Sequence, residues 1–405
     1  MESDKSYVCG MLKRHLANLS GIAVMLGSAN LPFHEVQWIK GLNLDFNAAE
    51  GKRFERLFPG CTELDLIEKK GEELFQSLFP QAQNYCISFD PISGTQANQI
   101  VYNAILKPQS TVLAMSVKSG GHASHIDYLK MYHTVIEYQY SEELQNLDYN
   151  TIELLCAKHR PNLIIAGASS FPLEIRYDIL GDIAHKYNIP LLADISHTAL
   201  YILEGYHVTP FGKADFISFT THKTTRGPRG AILLYKNSYV QEIEKSIFPI
   251  SQGAPIYTQI CSKVAMLECL KNRVEKKYCN DILKLTDLFI QRMKYASIPL
   301  WLDISETHLC ILDLSNFPQS ADVYQAILES SGIYVNSCYL PGRSKKTGLR
   351  FGFMYLATLN IKQADFLKLT DIVIRILLSG SPIDKRHTEM IMQPYYYKFM
   401  EKQYE

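Results

Sequence analysis

The sequence has no net charge: its 405 residues hold 41 Lys and Arg against 41 Asp and Glu. No global field therefore draws it to nucleic acid or to an anionic membrane. It has no apolar run near the roughly 18 residues that a bilayer-spanning helix needs, and the opening Met1-Glu2-Ser3-Asp4-Lys5 lacks a leader pattern. It has no CxxC pair either. Nine cysteines scattered along so long a chain predict reduced thiols in a cytoplasmic protein, not a disulfide framework. Internal repeats, low-complexity tracts and Gly/Ser linkers are missing too. The 47% hydrophobic content suffices for a large core, and the length predicts a large domain with a smaller one.

The chain is organised around Ser218-Phe219-Thr220-Thr221-His222-Lys223-Thr224-Thr225-Arg226-Gly227-Pro228-Arg229-Gly230. Apolar runs at 214–219 and 231–234 flank it and read as short buried strands. A lysine held tightly between two such strands, among small hydroxyls, a histidine and a Gly-Pro turn, suits an anion site with a positioned amine. A Schiff-base lysine needs that setting, because partial burial favours the neutral amine. A solvated lysine in a basic turn is the plainer alternative.

Strand-like runs recur at 85–89, 111–115, 134–138, 162–166 and 190–193, separated by helical periodicity at 148–158 and 179–187. This alternation predicts an α/β fold with a mostly parallel sheet covered on both faces. Ligands in such sheets sit beyond the carboxyl ends of the strands. Ser169, Asp194, His197 and Thr220 to Lys223 all fall there. Residues 6–19 and 63–78 have helical spacing, whereas 35–60 is aperiodic and polar, as a functional loop would be. A long helical stretch at 257–295 leads to a smaller α+β pattern. The predicted domains are an N-terminal arm (1–40), a large cofactor-binding domain (41–256), and a connecting helix with a small C-terminal domain (257–405). The aromatic tail around Tyr395-Tyr396-Tyr397 is expected to dock on the body or on a partner subunit.

After the strand at 85–89 comes Pro91-Ile92-Ser93-Gly94-Thr95-Gln96-Ala97-Asn98, and then helical spacing. Ser93, Gly94 and Thr95 thus place backbone N–H groups and hydroxyls at a helix start, where a phosphate binds well, though a plain helix cap reads the same way. With Lys223, Asp194 and His197 they make the set that pyridoxal phosphate requires. The lysine condenses with its aldehyde, the acid keeps the pyridine nitrogen protonated so that the ring is an electron sink, and the cup takes the phosphate. No metal site is expected.

From about residue 21 to 358 the sequence resembles serine hydroxymethyltransferases, of the fold-type-I pyridoxal-phosphate enzymes. The resemblance is carried by the segment at 91–98, by Gly120-Gly121-His122-Ala123-Ser124-His125, by 160–169, by Ala193-Asp194-Ile195-Ser196-His197, and by Thr220 to Gly230. Phe248-Pro249-Ile250-Ser251-Gln252-Gly253-Ala254-Pro255 and Gly348-Leu349-Arg350-Phe351-Gly352 complete it. It implies a homodimer with shared active sites acting on a small amino acid, and it implies the roles. Lys223 is the Schiff-base lysine, Asp194 the partner of the pyridine nitrogen, and His122 the histidine stacked on the cofactor ring. Ser169 and His197 bond the phenolic oxygen or position substrate. Ser93, Gly94, Thr95, Thr220 and His222 belong to the cofactor site, with the Gly253 loop supplied by the second subunit. Arg350 grips the substrate carboxylate and Ser28 assists. His125 and His308 match no role, and Arg226 and Arg229 are read as capping the turn.

The departures are concentrated. Anchored on Gly51-Lys52-Arg53, Asn47 stands where the family has its acid–base glutamate, Asp45 replaces a tyrosine, and Phe58 replaces another. Three extra residues separate Arg53 from Gly60-Cys61. Cys338 falls at the position of a folate-contacting asparagine. Asparagine exchanges no proton with a hydroxymethyl group, so tetrahydrofolate is a doubtful partner. The reading is aldol or retro-aldol chemistry at Cα of glycine, serine or a β-hydroxy amino acid, with an aldehyde as the other partner and largely without folate. The alternatives are a true hydroxymethyltransferase with a relocated carboxylate (Glu50 first), an epimerase or decarboxylase on the same scaffold, and a regulatory homologue.

Overall fold

The structure is a computed structural model that describes residues 7–273 and 277–401; the opening Met1 to Lys5 lies outside the described residues. Chain packing separates one unit, Asn30–Cys279, from a second made of the residues up to Ala29 with those from Asn280 on.

The main sheet of the first unit has seven strands: β1 (Tyr85–Ser88), β2 (Thr111–Met115), β3 (Thr134–Tyr138), β4 (Leu163–Ala166), β5 (Leu191–Asp194), β6 (Phe216–Thr220) and β7 (Ala231–Lys236). They lie in the order β1-β7-β6-β5-β4-β2-β3. Only β7 runs against the rest. Every residue of β4 is buried, as expected of a parallel strand covered on both faces. Val112, Ile165, Leu192 and Phe216 pack with Ile100 and Val101 of a covering helix. The carboxyl ends of β1, β4, β5 and β6 therefore share one edge of the sheet.

Helix α1 (Thr62–Leu78), α2 (Gly94–Ile105) and α3 (Tyr257–Arg273) frame this unit. A Cβ at Gly71 of α1 would lie 2.7 Å from Val264 of α3 and 2.8 Å from Phe89, so the bare backbone there permits the close approach of the two helices. The aperiodic 35–60 segment is more ordered than its composition predicts. It contains a helix, His34–Lys40, and a two-rung hairpin pairing Gly51–Lys52 with Glu55–Arg56. Both are too short to imprint a period on the sequence. The single helical stretch expected at 257–295 is two helices, α3 and Lys277–Tyr295.

The second unit is α+β. Its strands β8 (Leu309–Asp313), β9 (Asn336–Cys338) and β10 (Gly348–Gly352) form an antiparallel sheet in the order β8-β10-β9. Ala23–Val24 pairs with Ile333–Tyr334, which ties the N-terminal segment into this unit. Helix α4 (Gln363–Ser379) buries Phe366, Leu369, Val373 and Ile376, and α5 (Arg386–Glu401) packs on it. No helix among the described residues is long and apolar enough to cross a membrane.

Candidate active site

Lys223 follows β6 in a turn closed by its own backbone and by the Thr221 hydroxyl. Thr221 N–H donates to Gly230 O (3.0 Å), Gly227 N–H to Thr221 O (2.6 Å), and the Thr221 hydroxyl to Pro228 O (2.6 Å). Asn30 Nδ2 donates to Lys223 O (2.8 Å). Lys223 itself is buried, with 8% of its surface exposed, so the lysine sits on a fixed backbone rather than a free loop. Arg226 does more than cap this turn: its guanidinium lies 4.4 Å from the Phe33 ring centroid and Nε donates to Leu31 O (3.2 Å).

Asp194 ends β5, beside β6. Its Oδ2 accepts from Asn98 Nδ2 (2.9 Å) and lies 3.0 Å from His125 Nε2, and its Oδ1 accepts from Ser196 N–H (3.0 Å). An ionised carboxylate only accepts, so the His125 proton sits on Nε2. Burial would push the acid up. The bonds from His125 and Ser196, and the Lys223 charge, outweigh burial and hold it well below the usual carboxylate range. Asn98 is in turn fixed by the Ser218 hydroxyl, 2.6 Å from its Oδ1.

The cup lies against the lysine turn. Ser93 caps α2, its hydroxyl accepting from Gln96 N–H (3.1 Å), and Gly94 and Thr95 open the helix. A Cβ at Gly94 would fall 2.8 Å from Thr220 Cγ2. Thr220 N–H donates to Ser196 Oγ (3.0 Å), which ties β6 to the turn after Asp194. The buried Thr220 Oγ1 and His222 Nδ1 have no hydrogen-bond partner among the described residues. Burial, then the charges of Lys223 and Arg229, push His222 down to about 3, so it is a neutral imidazole at working pH. Free N–H groups at a helix start, two unsatisfied buried polar atoms and a position bare of Cβ fit a bound phosphate.

The remaining predicted residues divide. His122 is exposed, its Nδ1 2.7 Å from the Ser124 hydroxyl. Its ring centroid is 5.7 Å from that of His125. Ser169 N–H donates to Gly120 O (2.8 Å), which holds it to the His122 loop. His197 is buried in the turn after Asp194. Gly253 lies apart from Lys223, on a pocket of about 500 Å³ lined by Lys52, Arg56, Glu68, Asp90 and Glu244 among others. Its loop reaches the cup through Gln96, whose Nε2 donates to Ser251 O (3.2 Å). Ser28 and Arg350 belong to the second unit. There Arg350 Nη2 donates to Asn336 Oδ1 (2.7 Å), and a Cβ at Gly27, next to Ser28, would come 3.1 Å from Arg350 Nε.

The serine hydroxymethyltransferase family description matches residues 2–373. The chain belongs to that family. Its fold is accordingly that of the fold-type-I pyridoxal-phosphate enzymes, and the family is pyridoxal-phosphate dependent. Against that background two residues stand out that sequence reasoning passed over. His125, read as an ordinary polar residue, is 1% exposed and bonded to Asp194. Asn98 closes the Pro91 to Asn98 motif, in which the sequence alone assigns it no role. Their only signal was membership of those motifs. The pairing with Asp194 spans 69 and 96 residues.

The diverged segment is also built in. Asp45 accepts from Thr258 N–H (2.9 Å) and Oγ1 (2.6 Å) at the start of α3. Asn47 Nδ2 donates to Pro59 O (3.0 Å). Arg56 staples the hairpin to α1. Its Nε donates to Asp65 (2.8 Å), Nη2 to Glu68 (2.5 Å), and Nη1 to Ala49 O and Gly51 O. The extra residues between Arg53 and Gly60 are thus accommodated in a hairpin locked by a buried arginine.

Proposed function

We propose that this protein is a pyridoxal-phosphate-dependent enzyme, cytoplasmic and homodimeric, that makes or breaks a carbon–carbon bond at Cα of glycine, serine or a β-hydroxy amino acid without folate. When bound, the cofactor supplies an electron sink for charge developing at Cα. The chain supplies the rest. Lys223 offers its amine from a rigid turn, and Asp194, kept anionic, holds a proton on the pyridine nitrogen. The cup at Ser93, Gly94 and Thr95, with Thr220 and His222, takes the phosphate. His122 covers the ring face, and Ser169 and His197 serve the phenolic oxygen or the substrate. Arg350, with Ser28, binds the amino-acid carboxylate through its fork.

One observation carries the folate-independent part. The two polar side chains of the diverged segment nearest the acid–base position are used by the scaffold, Asp45 on α3 and Asn47 on Pro59 O. The test is retro-aldol cleavage of a β-hydroxy amino acid, with aldehyde and glycine measured in equal amounts. Aldehyde release without folate, lost in Lys223→Ala, supports the reading. Release only with tetrahydrofolate overturns it.

A second reading has one observation of its own. Glu50 Oε1 lies 3.2 Å from where a Cβ on Gly253 would stand, on the loop that the family resemblance sends to the partner's site. If Glu50 is a relocated acid–base group, Glu50→Gln abolishes folate-dependent serine–glycine exchange, a loss of about 10²–10⁴-fold.

A further inference from the structure

In the second unit, α4 and α5 lie antiparallel. The Tyr395 hydroxyl, late in α5, contacts the start of α4: it accepts from Lys362 N–H (3.2 Å) and donates to Asp365 Oδ2 (2.6 Å). Between the helices runs a cavity of about 600 Å³. Asp365, Lys368, Ile372 and Arg375 line it from α4 at three- and four-residue spacing, so one face of that helix forms the wall. His387, Met390, Ile391, Pro394 and Lys398 do the same from α5. That second wall lies beyond residue 373, outside the part matched to the family.

Met390, Ile391 and Pro394 give the groove an apolar wall on α5, and cations stand at both ends. Met390, on its rim, is 69% exposed, so its apolar surface is open to a contact. Four cations, Lys362, Lys368, Arg375 and Lys398, share it with one carboxylate, Asp365, which is already bonded by Lys368 (2.7 Å) and Tyr395. Arg375 and Lys398 have no carboxylate partner among the described residues. They stand at opposite ends: ten residues of α4 separate Asp365, which is at the Lys398 end, from Arg375, about 15 Å at helical rise. A single small anion cannot reach both. The chain's own exposed amphipathic helix, Tyr7–Leu19, has apolar side chains to offer but carries Lys13, Arg14 and His15 and no acid, so the groove would repel it.

We propose that this groove is the docking site for an acidic amphipathic helix of a partner protein. Its apolar face lies over Met390, Ile391 and Pro394. Carboxylates about three turns apart pair with Arg375 and Lys398. This is helix-in-groove recognition with charge fixing the register.

The probe is a fluorescein-labelled helical peptide of four turns, with leucines on one stripe and glutamates at both ends, titrated against the full-length protein by anisotropy. A control peptide carries lysine in place of each glutamate. The acidic peptide should bind, more weakly as salt rises, and the basic one should not. The double variant Arg375→Glu, Lys398→Glu should lose at least tenfold in affinity, and Met390→Asp should do likewise. All these side chains are at the surface, so cofactor absorbance and unfolding temperature should match the parent. Equal binding of the two peptides, or unchanged affinity in the variants, overturns the proposal. So does a change of oligomeric state in Met390→Asp by sedimentation, which would assign the groove to a second copy of the chain.

Discussion

His125→Phe separates a working Asp194 from a merely buried one. The substitution keeps a flat ring in a site that is 1% exposed and removes one of the three hydrogen bonds to the carboxylate. A bond to a charged group is worth about 1.5–3 kcal/mol, so the Asp194 pKa should rise by roughly one to two units at 1.36 kcal/mol per unit. The acid would still be ionised at neutral pH, but it would hold the pyridine proton less firmly. Cofactor affinity should fall by about tenfold to a hundredfold, at 1.4 kcal/mol per factor of ten. Equilibrium dialysis of pyridoxal phosphate against parent, His125→Phe and His125→Gln measures this. The glutamine amide can donate to the same oxygen and should restore part of the loss, which a packing defect alone would not allow. If His125→Phe binds the cofactor like the parent, Asn98 and Ser196 suffice and the assignment of His125 fails.

Three further outcomes follow from the same geometry. Asp45→Ala removes the acceptor at the start of α3 and should lower stability to urea by about 1–2 kcal/mol, with cofactor absorbance unchanged in the native protein. Gly94→Ala places a methyl 2.8 Å from Thr220 Cγ2; it should weaken pyridoxal phosphate much more than pyridoxal, which lacks the phosphate, in competitive binding. Glu68 is pushed up to about 7 by burial and by Asp90, against the pull of Arg56. A carboxyl whose folded pKa lies above its unfolded value of about 4.3 adds stability that is complete below that value and is lost as pH rises through 7. Urea midpoints should therefore fall between pH 5 and 8 in the parent and flatten in Glu68→Gln; parallel curves would contradict this.

The α/β class, the sheet strands and the lysine turn were legible because each leaves a local imprint. Buried parallel strands such as β4 are continuous apolar runs, and the turn after Thr220 is fixed by hydroxyls and glycines within ten residues. The 35–60 segment was read as irregular because a seven-residue helix and a two-rung hairpin do not set a period. What holds them is non-local: Arg56 on Asp65 and Glu68, and Asp45 on Thr258, 213 residues away. His125 was missed for the same reason. Nothing within three residues of it distinguishes a carboxylate partner from a solvated histidine, since Asp194 reaches it only when β5 is in place. The aromatic tail, expected to dock on the body or on a partner subunit, is a helix whose Tyr395 ties α5 to α4.

The claim at the centre is that the cofactor side of this family's site is kept while its folate side is given over to the scaffold. Its most direct test is an absorbance titration of the purified, cofactor-loaded protein with glycine and L-serine, with and without tetrahydrofolate, using Lys223→Ala as the control. The visible cofactor band should be altered in Lys223→Ala. In the parent, glycine should shift the band fully without folate, and added tetrahydrofolate should change nothing. A glycine response that develops only when tetrahydrofolate is present would contradict the account and make this protein a folate-using hydroxymethyltransferase with its acid–base group moved.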